Sequence, residues 1–251
     1  MKKMSFSKVM SMIAMFSLTS GFIACSSDDK DDVTNNDPTV ESESLNVCPD
    51  ENHPHLIDLG LPSGKKWCCS NIGANNPEGY GKYFAWGETE GDKANKKFTW
   101  SNYKWCNGTQ YTLTKYCSDS RYLASGVTPD NKTELDLDDD AAYASNNNYC
   151  MPTSANIKEL LDNTTLRWIV GNGVKGAIFK SKLNGNSIFL PAAGYYGEKE
   201  YSKGEVGFYW SSSVDSYSSD LAKSHFYVSK DNTVMRSESR YYGMSVRAVG
   251  K

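Results

Sequence analysis

Histidine is scarce in this sequence, with three in 251 residues, and there is no Cys-x-x-Cys and no Gly-x-Ser-x-Gly. Each shortage removes a class of chemistry. Without cysteines two residues apart, neither a zinc knuckle nor a thioredoxin-type dithiol is expected. Without a glycine-flanked serine, Ser211-Ser212-Ser213 lacks the strained turn that exposes a nucleophile, and it reads as polar strand positions. No apolar run reaches the roughly 20 residues that a spanning helix needs. Lys and Arg total 27 against 30 Asp and Glu and form no patch, so nucleic acid is not an expected partner. No positioned acid, base and nucleophile stand out, so no enzyme is expected.

The few groups that could do chemistry have bland readings. His53 and His55 alternate in His-Pro-His and could clasp a metal, but they read first as decoration where the folded part begins. His225, beside Phe226, reads as a half-buried strand residue. Asp136, Asp138, Asp139 and Asp140 could supply calcium oxygens, but they lack EF-hand spacing. A solvated acidic loop, or a cap on a short helix through Ala141-Ala142, is the favoured reading. No metal and no cofactor is therefore expected.

What is present begins at the first residue. Lys2, Lys3 and Lys8 precede a mostly apolar stretch, Val9 to Ala24, which fits a secretory signal peptide over 1–24. It ends in Phe22-Ile23-Ala24-Cys25, which looks like a bacterial lipobox, with Phe22 departing from the usual Leu. That resemblance implies cleavage before Cys25 and acylation of its thiol and amine, with several acyl chains giving stable membrane anchoring. The acidic run after Cys25, Ser26 to Asp32, resembles the signal that sends some Gram-negative lipoproteins to the outer face of the outer membrane. Residues 25–52 are expected to be a flexible tether, because 26–47 hold no aromatics and cannot bury enough apolar surface. Loss of 1–24 removes three lysines and takes the net charge from −3 to −6.

Seven cysteines are present, and six remain if Cys25 carries lipid. An even number outside the cytoplasm suggests disulfides. Cys106 and Cys117 flank a segment able to turn back on itself, and their bridge is expected to contribute roughly 3 kcal/mol. Cys48, Cys68, Cys69 and Cys150 cannot be paired from sequence. Adjacent Cys68 and Cys69 are expected to have different partners.

One domain is expected over 53–251, long enough for a real core. Leu56–Gly60, Lys66–Gly73 and Tyr83–Gly87 read as strands, and 88–150 reads as irregular. A helix is expected from Thr153 or Ser154 to about Asn163, with Ile157, Leu160 and Leu161 on one face. Strands follow at 187–191, 209–213, 222–229, 233–239 and 245–249, with Lys230-Asp231-Asn232 turning between two of them. The class is α+β.

Seven segments in order carry a resemblance to a known family. They are His55 to Gly64 with Trp67, Tyr80 to Glu88, Asp139-Asp140-Ala141-Ala142, Tyr149 to Thr153, Leu190 to Gly194, Tyr209 to Ser213, and Gly243 to Arg247. Together they resemble the Lcl C-terminal or "major paralogous" domains of bacterial surface lipoproteins. The resemblance covers nearly all of 55–249. It implies a C-type-lectin-like fold, with a small twisted antiparallel sheet, one or two helices and long loops, distantly similar to formylglycine-generating enzymes. Tyr149 and Cys150 stand where the family usually has Trp-Arg. The calcium motifs of sugar-binding C-type lectins are absent, so the fold alone implies no lectin chemistry.

Residues 195–245 hold eight of the sixteen Tyr and twelve Ser. Tyr gives rigid amphipathic contact area and Ser gives adaptable hydrogen bonds, as in antibody loops. The family also presents ligand contacts in its C-terminal region. Asp215, Tyr217, Arg236, Arg240, Tyr241 and Tyr242 are therefore the expected ligand-binding residues. The expected function is a cell-surface binding module for a glycan or an extracellular protein. A structural role in the envelope or at a pilus tip is the alternative, and a formylglycine-generating-like enzyme is remote.

Overall fold

The computed structural model describes residues 40–92, 96–230 and 232–251, and of 222–227 the backbone alone. Cys25, the signal peptide, the acidic run, Asp231 and the His225 side chain lie outside the described residues. Along the chain come strands β1 (Ser42–Glu43), β2 (Leu56–Ile57), β3 (Trp67–Cys68) and β4 (Tyr83–Phe84). Helix α1 (Ala141–Ser145), β5 (Tyr149–Cys150) and α2 (Ser154–Asn163) follow. Then come β6 (Thr164–Gly171), β7 (Val174–Ser181), β8 (Ser187–Pro191), β9 (Tyr195–Tyr196), β10 (Glu200–Tyr201) and β11 (Gly207–Trp210). Last are β12 (Leu221–Val228), β13 (Thr233–Ser239), β14 (Met244–Ser245) and β15 (Val249–Gly250). Among the described residues, many short strands and two α-helices make a small α+β fold.

The longest hairpin of the described residues is not among the strands expected from the sequence. β6 and β7 pair antiparallel from Thr164↔Ser181 to Gly171↔Val174. Asn172 and Gly173 close it with φ of 46° and 83°. Two left-handed residues give the turn whose twist matches the strands, and Asn-Gly is its preferred sequence. β8 pairs β7 on one side, and β1 adds parallel to β6 on the other. The inward residues Ala177, Phe179, Ile188 and Leu190 share a core with Ile157 and Leu160 of α2. α2 starts where expected, because Thr153 and Asn156 form a reciprocal capping box.

The tether becomes ordered chain earlier than expected. Ser42 and Glu43 pair with Val170 and Gly171, and Val47 is buried against Ile169 and Phe189. The few apolar residues of this stretch, Leu45 and Val47, gain a partner surface that composition could not reveal. The folded part thus includes residues 41–52, ahead of the expected start at 53.

A second sheet runs β13-β12-β11-β14-β4, and a third runs β2-β3-β15-β5. Two tryptophans lock the middle: Trp86 Nε1 donates to Ser211 O and Trp210 Nε1 to Phe84 O, both at 2.8 Å. Buried indole N–H groups usually find such partners, although that of Trp67 has none. Arg247 is 1% exposed and donates to Asn71 Oδ1, Cys68 O, Cys69 O and Phe189 O at 2.8–3.1 Å. It ties the third sheet to the first.

Asp139 and Asp140, two of the four aspartates read as possible calcium ligands, are structural. Asp140 caps α1 through Ala142 N and Tyr143 N, and also accepts from Met151 N. Asp139 accepts from Lys104, Lys115 and the Tyr116 hydroxyl. The expected Cys106–Cys117 bridge is not formed, and all six described cysteines are free thiols. The reason is local register. Cys106 pairs across to Leu113, so the segment turns back before Cys117 is reached. The two thiols then donate to different carbonyls, Cys106 to Trp100 O and Cys117 to Asp119 O.

Candidate ligand-binding groove

Five aromatic rings from three distant segments form a ladder on one surface. Trp100 meets Tyr241 at 5.0 Å between centroids, Tyr241 meets Tyr242 at 4.3 Å, and Tyr242 meets Tyr195 at 5.1 Å. Tyr201 stacks on Tyr195 at 5.1 Å with 16° between planes. They line a groove of about 420 Å³, with Phe98, Thr99, Gly197 and Glu198 completing it.

Local rules place each ring. Trp100 opens a 3₁₀ turn, Trp100–Asn102, whose start is fixed by Thr99 N donating to Asn102 Oδ1. Tyr195 and Tyr201 face each other across the β9–β10 pair. Tyr241 and Tyr242 follow β13 in a turn closed by Tyr242 N to Ser239 O. Backbone bonds sew these pieces together: Phe98 N to Gly197 O, and a reciprocal pair between Tyr196 and Gly243. Gly243 is required there, since a Cβ would stand 2.5 Å from the Phe98 ring.

The rings are partly exposed, so their faces are available. Burial pushes the Tyr195 and Tyr242 phenols upward, and for Tyr242 the Tyr241 hydroxyl adds to it. Both stay neutral at physiological pH, able to donate and accept hydrogen bonds. Burial also pushes the nearby Glu238 carboxyl up. The groove thus offers apolar ring faces, neutral hydroxyls and the carboxylate of Glu198.

The expected binding residues divide. Tyr241 and Tyr242 lie in the groove. Arg240, beside them in sequence, turns inward and is 0% exposed. It donates to Leu221 O, Lys115 O and Tyr116 O and lies over the Trp86 ring, so it braces the core and faces no ligand. Asp215 is also buried, and it accepts from Tyr217 N, Ser218 N and Ser237 Oγ to shape its own loop. Tyr217 is 92% exposed on that loop, beyond the groove lining. Arg236 is exposed on β13.

A second hollow of about 430 Å³ lies over Glu88, Lys96, Asn102 and Lys104. Two of its charges pair with each other, Glu88 accepting from Lys96 Nζ at 2.9 Å, and Glu88 also accepts the Lys104 backbone N–H at 3.0 Å. One group among the described residues could hold a metal: Cys48, His53, His55 and Cys69. No described helix is long and apolar enough to cross a membrane. Searches of protein families, curated proteins and solved structures find no match to this chain.

Proposed function

We propose that this chain is a non-catalytic binding module on a C-type-lectin-like scaffold, and that its aromatic groove takes a glycan. The aromatic ladder carries the reading. Sugar rings have apolar C–H faces ringed by hydroxyls. Such a ligand suits flat aromatic faces bordered by neutral phenols and one carboxylate, with little net charge. Aromatic anchors dominate binding energy where they cluster. In this reading a lipid on Cys25 holds the module on the outer membrane, facing the exterior, with the chain up to about residue 41 as spacer.

The experiment is a glycan and extracellular-protein array probed with the whole chain. A glycan hit lost in Trp100→Ala and in Tyr241→Ala, and retained in Tyr217→Ala, is the expected result. Hits confined to proteins, or a glycan hit indifferent to Trp100 and Tyr241, defeat the assignment. For the anchor, Cys25→Ala should move the protein from the membrane to the soluble fraction, and retention on membranes refutes it.

A further inference from the structure

The third sheet brings two cysteines and two histidines together from three short segments. Cys69 follows β3, and His55 precedes β2 opposite it, with Cys69 N bonded to His55 O at 2.9 Å. His53 stands two residues upstream. Cys48 comes from the stretch that follows the buried Val47. One ligand atom from each of the four lies within 4.8 Å of all the others.

We propose that Cys48, His53, His55 and Cys69 form a tetrahedral binding site for zinc that fastens the start of the folded chain to the sheet.

The geometry fits the ion. Zinc–sulfur and zinc–nitrogen bonds of about 2.3 and 2.05 Å at a tetrahedral angle place S and N about 3.6 Å apart. Cys69 Sγ and His53 Nδ1 are 3.5 Å apart. The His55 imidazole has its outer nitrogen within hydrogen-bond reach of a carboxylate, and that of His53 has one only at the edge of ion-pair range. His55 Nε2 is 3.1 Å from Asp50 Oδ1, and His53 Nε2 is 4.0 Å from Glu51 Oε2. Carboxylates behind metal-bound histidines orient the rings and raise their basicity. His55 Nδ1 is buried and has no hydrogen-bond partner. A buried nitrogen left unpaired is costly, and a cation at the centre of the four groups satisfies it. Cys69 Sγ accepts the His55 backbone N–H at 3.0 Å, which orients the sulfur toward the histidine pair.

The donor set selects the metal. Two sulfurs and two nitrogens suit zinc and exclude calcium and magnesium, which want oxygen. Four protein ligands leave no open position, so the site is structural. Two thiolates balance the charge of Zn²⁺, and their protons leave to solvent as the metal binds. A Cys48–Cys69 disulfide is the competing state in an oxidising compartment. It accounts for the cysteines and leaves unexplained why both imidazoles converge on them.

The test uses the full-length chain, reduced, stripped of metal and titrated with Co²⁺ and then Zn²⁺. Expected are the visible bands of a tetrahedral thiolate-bound cobalt site, saturating at about one ion per chain and bleached by zinc. Cys69→Ser and His55→Ala should abolish the bands, and Cys150→Ser should keep them. Because Cys69 is buried, Cys48→Ser provides the same loss at a partly exposed position, with near-ultraviolet circular dichroism to check the fold. Absence of a saturable tetrahedral spectrum in the folded, reduced chain overturns the site. So does a spectrum unchanged by Cys48→Ser and His55→Ala, or a Cys48–Cys69 disulfide as the main species in protein alkylated directly from cells.

Discussion

Arg247→Met removes a guanidinium that lies wholly inside the protein. Its partners are three backbone carbonyls and the Asn71 side chain, with no carboxylate among them. Met keeps much of the volume and none of the donors. Each buried acceptor left unpaired costs about 1–3 kcal/mol. Against this stands a gain. Burial in the native state already pulls the Arg247 guanidinium downward, so removing it recovers desolvation. Four orphaned acceptors less that recovery leave a net loss of about 3–5 kcal/mol, a large part of the roughly 5–15 kcal/mol that holds a domain together. With a urea m-value of about 2 kcal/mol/M, the midpoint falls by roughly 2 M. Urea unfolding followed by tryptophan fluorescence reads this directly. Arg121→Met, at an exposed pair with Asp119, is the control and should leave the curve in place. A midpoint shift for Arg247→Met no larger than the control's refutes the reasoning. It would mean that the carbonyls find other donors and that the guanidinium bridges nothing.

Two further outcomes follow from single contacts. Lys115 and Lys132 hold the Asp136 carboxyl down at about 2, from an ordinary 3.8. A depressed acid contributes stability that is complete above the ordinary value and is lost as pH falls from about 4 toward 2. Asp136→Asn should therefore flatten the melting-temperature profile in that window, and an identical acid slope would show the pairing to be idle. Gly243→Ala places a methyl against the Phe98 ring and should cost about 1–3 kcal/mol while weakening ligand binding through the displaced Tyr242, measured by calorimetry alongside a melt. Unchanged binding with lowered stability would detach the groove from this turn.

Local signals in the sequence reached local structure. Thr153 and the apolar spacing behind it marked α2, and Asp140 was legible as a cap because a short side-chain acceptor before Ala-Ala has few other uses. The β6–β7 hairpin left its mark in Asn172-Gly173, but the alternation ahead of it is weak, since Leu166 is exposed like its neighbours Thr165 and Arg167 and Ile169 alone of the apolar residues of β6 is buried. The groove was half legible. Tyr241 and Tyr242 belong to a Tyr-rich stretch, whereas Trp100 sits in an irregular loop and joins them only through tertiary contacts. Arg240 could not be separated from its tyrosine neighbours by any pattern, because its burial depends on Trp86 and on carbonyls more than a hundred residues away. The Cys48–His53–His55–Cys69 cluster fits no familiar ligand spacing; the β2–β3 pairing brings Cys69 beside His55, and Cys48 arrives from the separate stretch behind Val47.

The parallel seating of β1 bears on mechanics. Tension applied to the chain ahead of residue 40 arrives first at Ser42 and Glu43, where a few backbone bonds to β6 and the grip of Arg167 on Glu41 and Glu43 take the load. A two-residue strand at a sheet edge is a short fastening. It peels away before the β6–β7 ladder behind it feels strain. Val47 is the next point of resistance, and after it, with the proposed zinc bound, the Cys48–His53–His55–Cys69 cluster. Pulled from its N-terminal side, the domain yields in steps, with a sacrificial edge in front of a stiffer clasp, and the aromatic groove keeps its shape while the first of them gives way.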